Sequence, residues 1–354
     1  MSGAIERWVA AARADLAERH RAAFVAAGAA DVAVLRGPPD DTPFGARLRQ
    51  VIAADRPAGL VVLGSGAVPL AEAHDYAALV GAAATDAPVA LANNRFSADV
   101  VAIGCVPSLP AIPDLPGDNA LPRWLEEVAG YRVRDLRARW QLAVDIDGPL
   151  ELVLLRHPGG PEGIDLTAIR DRLAAVRSVA ANRRAELVIA GRVSVRTLAW
   201  LERHVPARVR AIVEERGLRA ASSMAQDREE APAPGVPAAL SGRPPASLLG
   251  LYLETAGPDA LGDVVARLGE AALIDSRVLL AHRLGADERA WPRPEDRFAS
   301  DLLLPERVAD PWLRALTTAA RDAPTPIALG GHSLVGPGVR LLLGRTGSQR
   351  PPWI

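Results

Sequence analysis

The 354-residue chain contains no lysine, and all 41 of its basic residues are arginine. A GC-rich coding bias, which favours arginine and alanine, accounts for this. The chemical consequence holds whatever the origin. Without a side-chain primary amine there is no Walker-A lysine, no Schiff base and no anchor for pyridoxal phosphate. Phosphate or carboxylate groups must instead be met by guanidinium, backbone N–H or a metal. Cysteine is nearly as scarce. Cys105 stands alone, which excludes an intrachain disulfide and any cysteine-rich metal centre and fits a reducing compartment. A small buried apolar role competes with a nucleophilic one for that residue. The net charge is only -1, so there is no electrostatic case for a nucleic-acid or membrane-surface partner. No run approaches ~18 consecutive apolar residues, and the N-terminal stretch carries no apolar signal core. A soluble, cytoplasmic protein is expected.

What is present is ordinary for a globular chain: 49% hydrophobic and 23% charged residues, enough for a sizeable core. The length favours two domains, expected at 1–155 and 156–354. From Ile5 to about Ala27, apolar residues at Trp8, Val9, Ala12, Leu16, Ala23 and Phe24 predict an amphipathic helix. Short strands are expected at Asp31–Leu35, Val89–Leu91 and Asp99–Ile103. The run Gly59–Leu63, which feeds the turn Gly64-Ser-Gly66, reads as a central parallel strand. In the second half strands are expected at Glu186–Ala190, Val209–Val213, Leu248–Leu253 and around Leu273. Helices are expected at Leu166–Ala181, Val195–His204 and Trp312–Ala320. The stretch 222–245, rich in Ala, Pro, Gly and charge, reads as a mobile loop. Alternating strands and helices make both halves α/β.

Three short motifs in the first half occur in a telling order. They are Gly64-Ser-Gly-Ala-Val-Pro-Leu70, the polar loop Asn93, Asn94, Arg95, Phe96, Ser97 leading through Asp99 into a strand, and Asp145-Ile-Asp-Gly-Pro-Leu-Glu-Leu152. Together they resemble the GT-A-type nucleotidyltransferases, a superfamily that includes the molybdenum-cofactor and phospholactate guanylyltransferases. The resemblance covers about 155 residues. It implies a three-layer α/β/α GT-A-like domain. It further implies a nucleotide or phosphorylated small molecule held by Gly64, Ser65, Gly66, Asn93, Asn94, Arg95, Ser97 and Asp99, and a Mg²⁺ held by Asp145 and Asp147. A hard cation bridging phosphates would neutralise charge during nucleotidyl transfer.

The chain also departs from that family. It begins at the helix following the family's Gly-rich, Arg- and Lys-bearing loop, and glycine stands at Gly66 where the family has a metal-binding aspartate. Local readings compete as well. Gly64 and Gly66 can serve a tight turn, Asp145 and Asp147 can cap the next helix, and Asn93-Asn94 can form a turn.

The second half offers another constellation. Asp275, Arg277 and His282 fall near an expected strand end, Asp301 closes a polar stretch, and His332 and Ser333 lie between glycine pairs. Such Gly-rich strand ends are where α/β proteins bind ligands. Ordinary turn hydrogen bonds and surface ion pairs are the alternative. The series Arg192, Arg196, Arg203, Arg208 and Arg210 reads either as an anion site or as a solvated face. Three functions follow: a divergent nucleotidyltransferase, a non-catalytic nucleotide-binding or scaffold protein, or an enzyme centred on Asp275, His282, Asp301 and His332. A homodimer is left open.

Overall fold

The computed structural model describes residues 3–37, 40–214, 246–285 and 287–344. The expected loop at 222–245 lies outside these residues. The chain divides into two compact units: Ala10–Ile146, and Met1–Val9 with Asp147–Ile354. Both are α/β, with a four-stranded sheet in each. No helix among the described residues is long and apolar enough to cross a membrane.

The first unit contains most of α1 (Ala4–Ala26), then α2 (Phe44–Asp55), β1 (Leu60–Leu63), α3 (Ala73–Ala83), β2 (Val89–Ala92), β3 (Val100–Ile103), α4 (Leu121–Glu127) and β4 (Arg132–Asp135). Its sheet runs β1-β3-β2-β4, antiparallel across β1–β3 and β3–β2 and parallel across β2–β4. Along α1, Ala12, Leu16, His20 and Phe24 are buried, the four-residue spacing of a stripe on one helix face. Phe24 packs with Tyr76, Leu79, Leu91, Val100 and Leu142 in one core.

Two expectations fail in this unit. The run at Leu60–Leu63 is an antiparallel edge strand, half-buried throughout, not a central parallel one. A short apolar run does not distinguish one covered face from two. Asp31–Leu35 is not a strand: it joins neither sheet, and Leu35 is 75% exposed. Extended backbone without a neighbour forms no ladder.

The second unit holds α5 (Pro149–Leu154), α6 (Thr167–Ala180), β5 (Glu186–Gly191), α7 (Val195–His204), β6 (Arg208–Val213), α8 (Leu248–Ala256), α9 (Leu261–Leu268), β7 (Ala271–Asp275), α10 (Ser276–Leu284), α11 (Pro294–Asp301), α12 (Pro311–Asp322), β8 (Ile327–Gly330), α13 (His332–Val335) and α14 (Gly338–Leu343). All four strands are parallel, in the order β6-β5-β7-β8. Helices cover a parallel sheet on both faces, and β7 and β8 are buried along their whole length. On the edge strand β6, Arg208 and Arg210 are exposed, and Arg210 pairs with Glu186 at 2.8 Å. Such charges blunt an open edge.

The expected strand at Leu248–Leu253 is helix α8. Its Ser247 cap accepts the Gly250 N–H at 3.0 Å, and Leu is a strong helix former. Gly250 is needed where α8 crosses α10, because a Cβ there would stand 2.4 Å from the His282 ring.

Candidate functional site

The carboxyl end of the parallel sheet gathers most of the second-half candidates. Chain order reverses at β5, whose neighbours are the later strands β6 and β7. At such a switch point the connections leave on opposite faces and open a crevice beyond the strand ends. β5 ends at Gly191-Arg192 and β7 at Asp275. Gly191 has φ +127°, and a Cβ there would lie 2.3 Å from the Asp275 Cβ, so glycine is required for the two strand ends to approach. Arg192 then reaches across, with Nε 2.6 Å from Asp275 Oδ2 and Nη2 3.1 Å from Oδ1. Asp275 is 1% exposed, whereas the Arg192 side chain keeps 20% exposure. Burial pushes the Asp275 carboxyl up, but Arg192, with His332 and Arg277 behind it, more than reverses this and holds it below the usual range.

Asp275 also accepts the Arg277 N–H at 3.2 Å, capping α10. The Arg277 guanidinium points to Asp301 at the end of α11 and makes a two-pronged pair at 2.6 Å on each arm, with Nη1 3.0 Å from Ser276 Oγ. Both partners are buried. Burial works against the Arg277 charge, but Asp301, Glu151 and Asp275 outweigh it, so its proton is held more tightly than usual. Glu151, on α5, accepts the Gly148 N–H at 2.8 Å and is 3% exposed. Burial, then the like charges of Asp147 and Asp301, push its carboxyl up to about 8, so it is a protonated acid at neutral pH. His332 and Ser333 follow β8. His332 is partly exposed and Ser333 buried.

The structure therefore brings Asp275, Arg277 and Asp301 into one network, with His332 close enough for its charge to act on Asp275. His282 does not belong there and is a correction. It lies on α10, with Nδ1 accepting the Ser247 N–H at 3.1 Å and Nε2 3.1 Å from Glu254 Oε1. A helix carries it away from the strand end. Arg192 is a second correction, since it is neither a solvated-face residue nor part of a row with Arg208 and Arg210. A chain whose every base is arginine hides which one has a buried partner. Glu151 was visible only as part of a motif, because its perturbation comes from burial.

In the first unit, Ile146 N–H donates to Gly66 O at 2.9 Å, and Ala67 and Asp145 form an antiparallel bridge. The Gly64-Ser65-Gly66 turn is thus joined to the segment ending in Asp145. Gly66 has no space for a side chain: a Cβ would stand 2.7 Å from Ile146 O. Val68 in the same turn adopts φ 42°, which costs a β-branched residue energy. Asn93 is structural. Its amide donates to Asp99 Oδ2 and Leu142 O, both at 2.9 Å, and accepts the Asp99 and Val100 N–H groups at 3.0 and 3.3 Å. Asn94 caps a turn by accepting the Phe96 N–H at 3.0 Å, Arg95 pairs with Glu126, and Ser97 donates to Asn119 at 2.7 Å. The division of the chain falls between Asp145 and Asp147. Among the described residues no three His, Cys, Asp or Glu side chains are grouped as metal ligands.

Against these geometries, the chain matches no protein-family model, no curated protein and no solved structure.

Proposed function

We propose that the working site lies at the carboxyl ends of β5 and β7 in the second unit, and that it binds a phosphorylated small molecule. The observation that carries this reading is the Arg192–Asp275 pair, set on the two strand ends where the order reverses. A guanidinium has five N–H groups. Asp275 takes two from Arg192, and the rest are left on a partly exposed side chain for an anion. The buried Asp275, Arg277, Asp301 and Glu151 network fixes Arg192 without itself meeting solvent. Such networks of perturbed acids gather at functional sites. His332 supplies a titratable group beside the pair, so the site has the parts for acid–base work as well as binding.

The test is thermal denaturation against nucleoside mono-, di- and triphosphates and sugar phosphates, with and without Mg²⁺. A stabilisation of several degrees by one class, lost in Arg192→Gln, is expected. No shift with any phosphorylated compound overturns the reading.

A second reading rests on the bridge between Ala67 and Asp145, which joins two motifs of the GT-A resemblance. It makes the first unit a degenerate GT-A-like nucleotidyltransferase domain. With Gly66 blocked and no three-ligand group among the described residues, the protein's donors do not make a Mg²⁺ site by themselves. Mg²⁺ would enter on the phosphates of a nucleotide. A Mg²⁺-dependent triphosphate shift that survives Arg192→Gln and disappears in Asp145→Ala would favour this reading over the first.

A further inference from the structure

A separate cavity of about 370 Å³ lies in the second unit between the end of α5, α6, α14 and the first turns of α1. Its floor is apolar, with Leu154, Leu173 and Leu342 among its lining residues, and its polar wall is cationic, formed by Arg156, Arg170 and Arg177. All three arginines are exposed, and among the described residues none lies within ion-pair distance of a carboxylate. Arg21 and Arg36 sit on Glu18 and Arg289 on Asp287, but Arg56, Arg132 and Arg208 are exposed without a carboxylate among the described residues too. What distinguishes these three is that they line one cavity. Asp165 accepts from Thr167 at 2.7 and 2.9 Å, and Arg170 acts on it through charge alone, outside ion-pair distance.

Two further features point to a ligand. Arg156 holds φ +55° just beyond α5, with the His157 N–H closing the helix on Leu152 O at 2.8 Å. That position favours glycine, and Arg156 occupies it while lining the cavity. Trp8 lines the same cavity, and its indole N–H is buried without a hydrogen-bond partner among the described residues. The His157 ring stands edge-on to it at 5.8 Å. Arg177 is braced by its Nε on Leu342 O at 2.8 Å, which leaves its terminal nitrogens for a ligand.

We propose that this cavity binds a small organic phosphate monoester. Three guanidinium groups suit a dianion better than a monocarboxylate, and the leucine floor takes a ring or short chain. The volume lies in the range of small-molecule sites. The site is distinct from the strand-end crevice and shares none of its residues.

The test follows the Trp8 indole N–H signal by NMR, assigned with Trp8→Phe, while phenyl phosphate, benzoate or inorganic phosphate is added. Saturable movement with phenyl phosphate at a Kd below about 1 mM is expected, with benzoate and inorganic phosphate each about tenfold weaker. Arg170→Gln and Arg156→Gly should each raise that Kd about tenfold. Arg156→Gly is the decisive variant, because it relieves backbone strain: its Tm should hold or rise while binding falls, so misfolding does not explain the loss. No saturable movement up to about 10 mM overturns the proposal. So does binding untouched by either arginine change, or phenyl phosphate binding no better than inorganic phosphate.

Discussion

Two buried titratable groups set opposite pH responses. His20 donates from Nε2 to Ala67 O and accepts the Tyr76 hydroxyl at Nδ1, both at 2.9 Å, and burial lowers its pKa to about 4. The folded state thus refuses a proton that the unfolded chain takes up near 6.5. Stability is full above that value and is lost as pH falls through about 4, by roughly 3 kcal/mol in all. Urea unfolding from pH 7 to pH 4 measures the slope, and an NMR titration showing His20 protonated at pH 6 would refute it. Glu151 behaves the other way. Its folded pKa is raised to about 8, so its contribution is full below the unfolded value and disappears as pH rises through the folded one. Glu151→Gln keeps an acceptor for the Gly148 N–H and removes the penalty. It should match the parent at pH 5 and exceed it at pH 9, by an amount on the order of a few kcal/mol. Equal curves for the two proteins at both pH values would count against a buried, protonated acid.

At the scale of elements, the Arg277–Asp301 pair ties α10 to α11. Asp301→Asn leaves a buried guanidinium short of its counter-charge and should cost about 3–5 kcal/mol. Replacing both, as Arg277→Met with Asp301→Leu, should recover most of that loss. A double-mutant cycle in denaturant checks it, and a double variant as unstable as the single would show that other neighbours dominate. Gly66→Ala forces a Cβ against Ile146 O and should lower stability by about 1–3 kcal/mol. An unchanged Tm would mean that the turn yields.

Legibility also divides by element. The strands β5 and β7 and the helices α6, α7 and α12 were readable because apolar runs and helical periodicity are local signals. Leu248–Leu253 was misread because six apolar residues fit either period, and the deciding contact, Gly250 against His282, is distant in sequence. The strand β4 and the helix α11 carried too much charge to be seen. At the site, Asp275, Arg277 and His332 were recognisable as polar residues near apolar strand ends, and Asp301 only as the close of a polar stretch. Arg192 depended on a crossover that only the sheet order reveals.

At the scale of the whole chain, β5 is an inner strand of the second unit's sheet. It pairs with β6, which precedes residues 215–245, and with β7, which follows them. The chain leaves and returns at one place. Glu214 accepts the Ser247 hydroxyl at 2.8 Å and the Leu248 N–H at 2.6 Å. A single peptide-bond cut between these positions would therefore not free either piece, because the β5–β7 ladder and the Glu214–Ser247 clasp still join them. The protein is thus suited to fragment complementation: residues 1–214 and 246–354, produced as separate polypeptides, should reassemble on mixing through strand pairing. Each piece would report by its recovered structure whether the other is present.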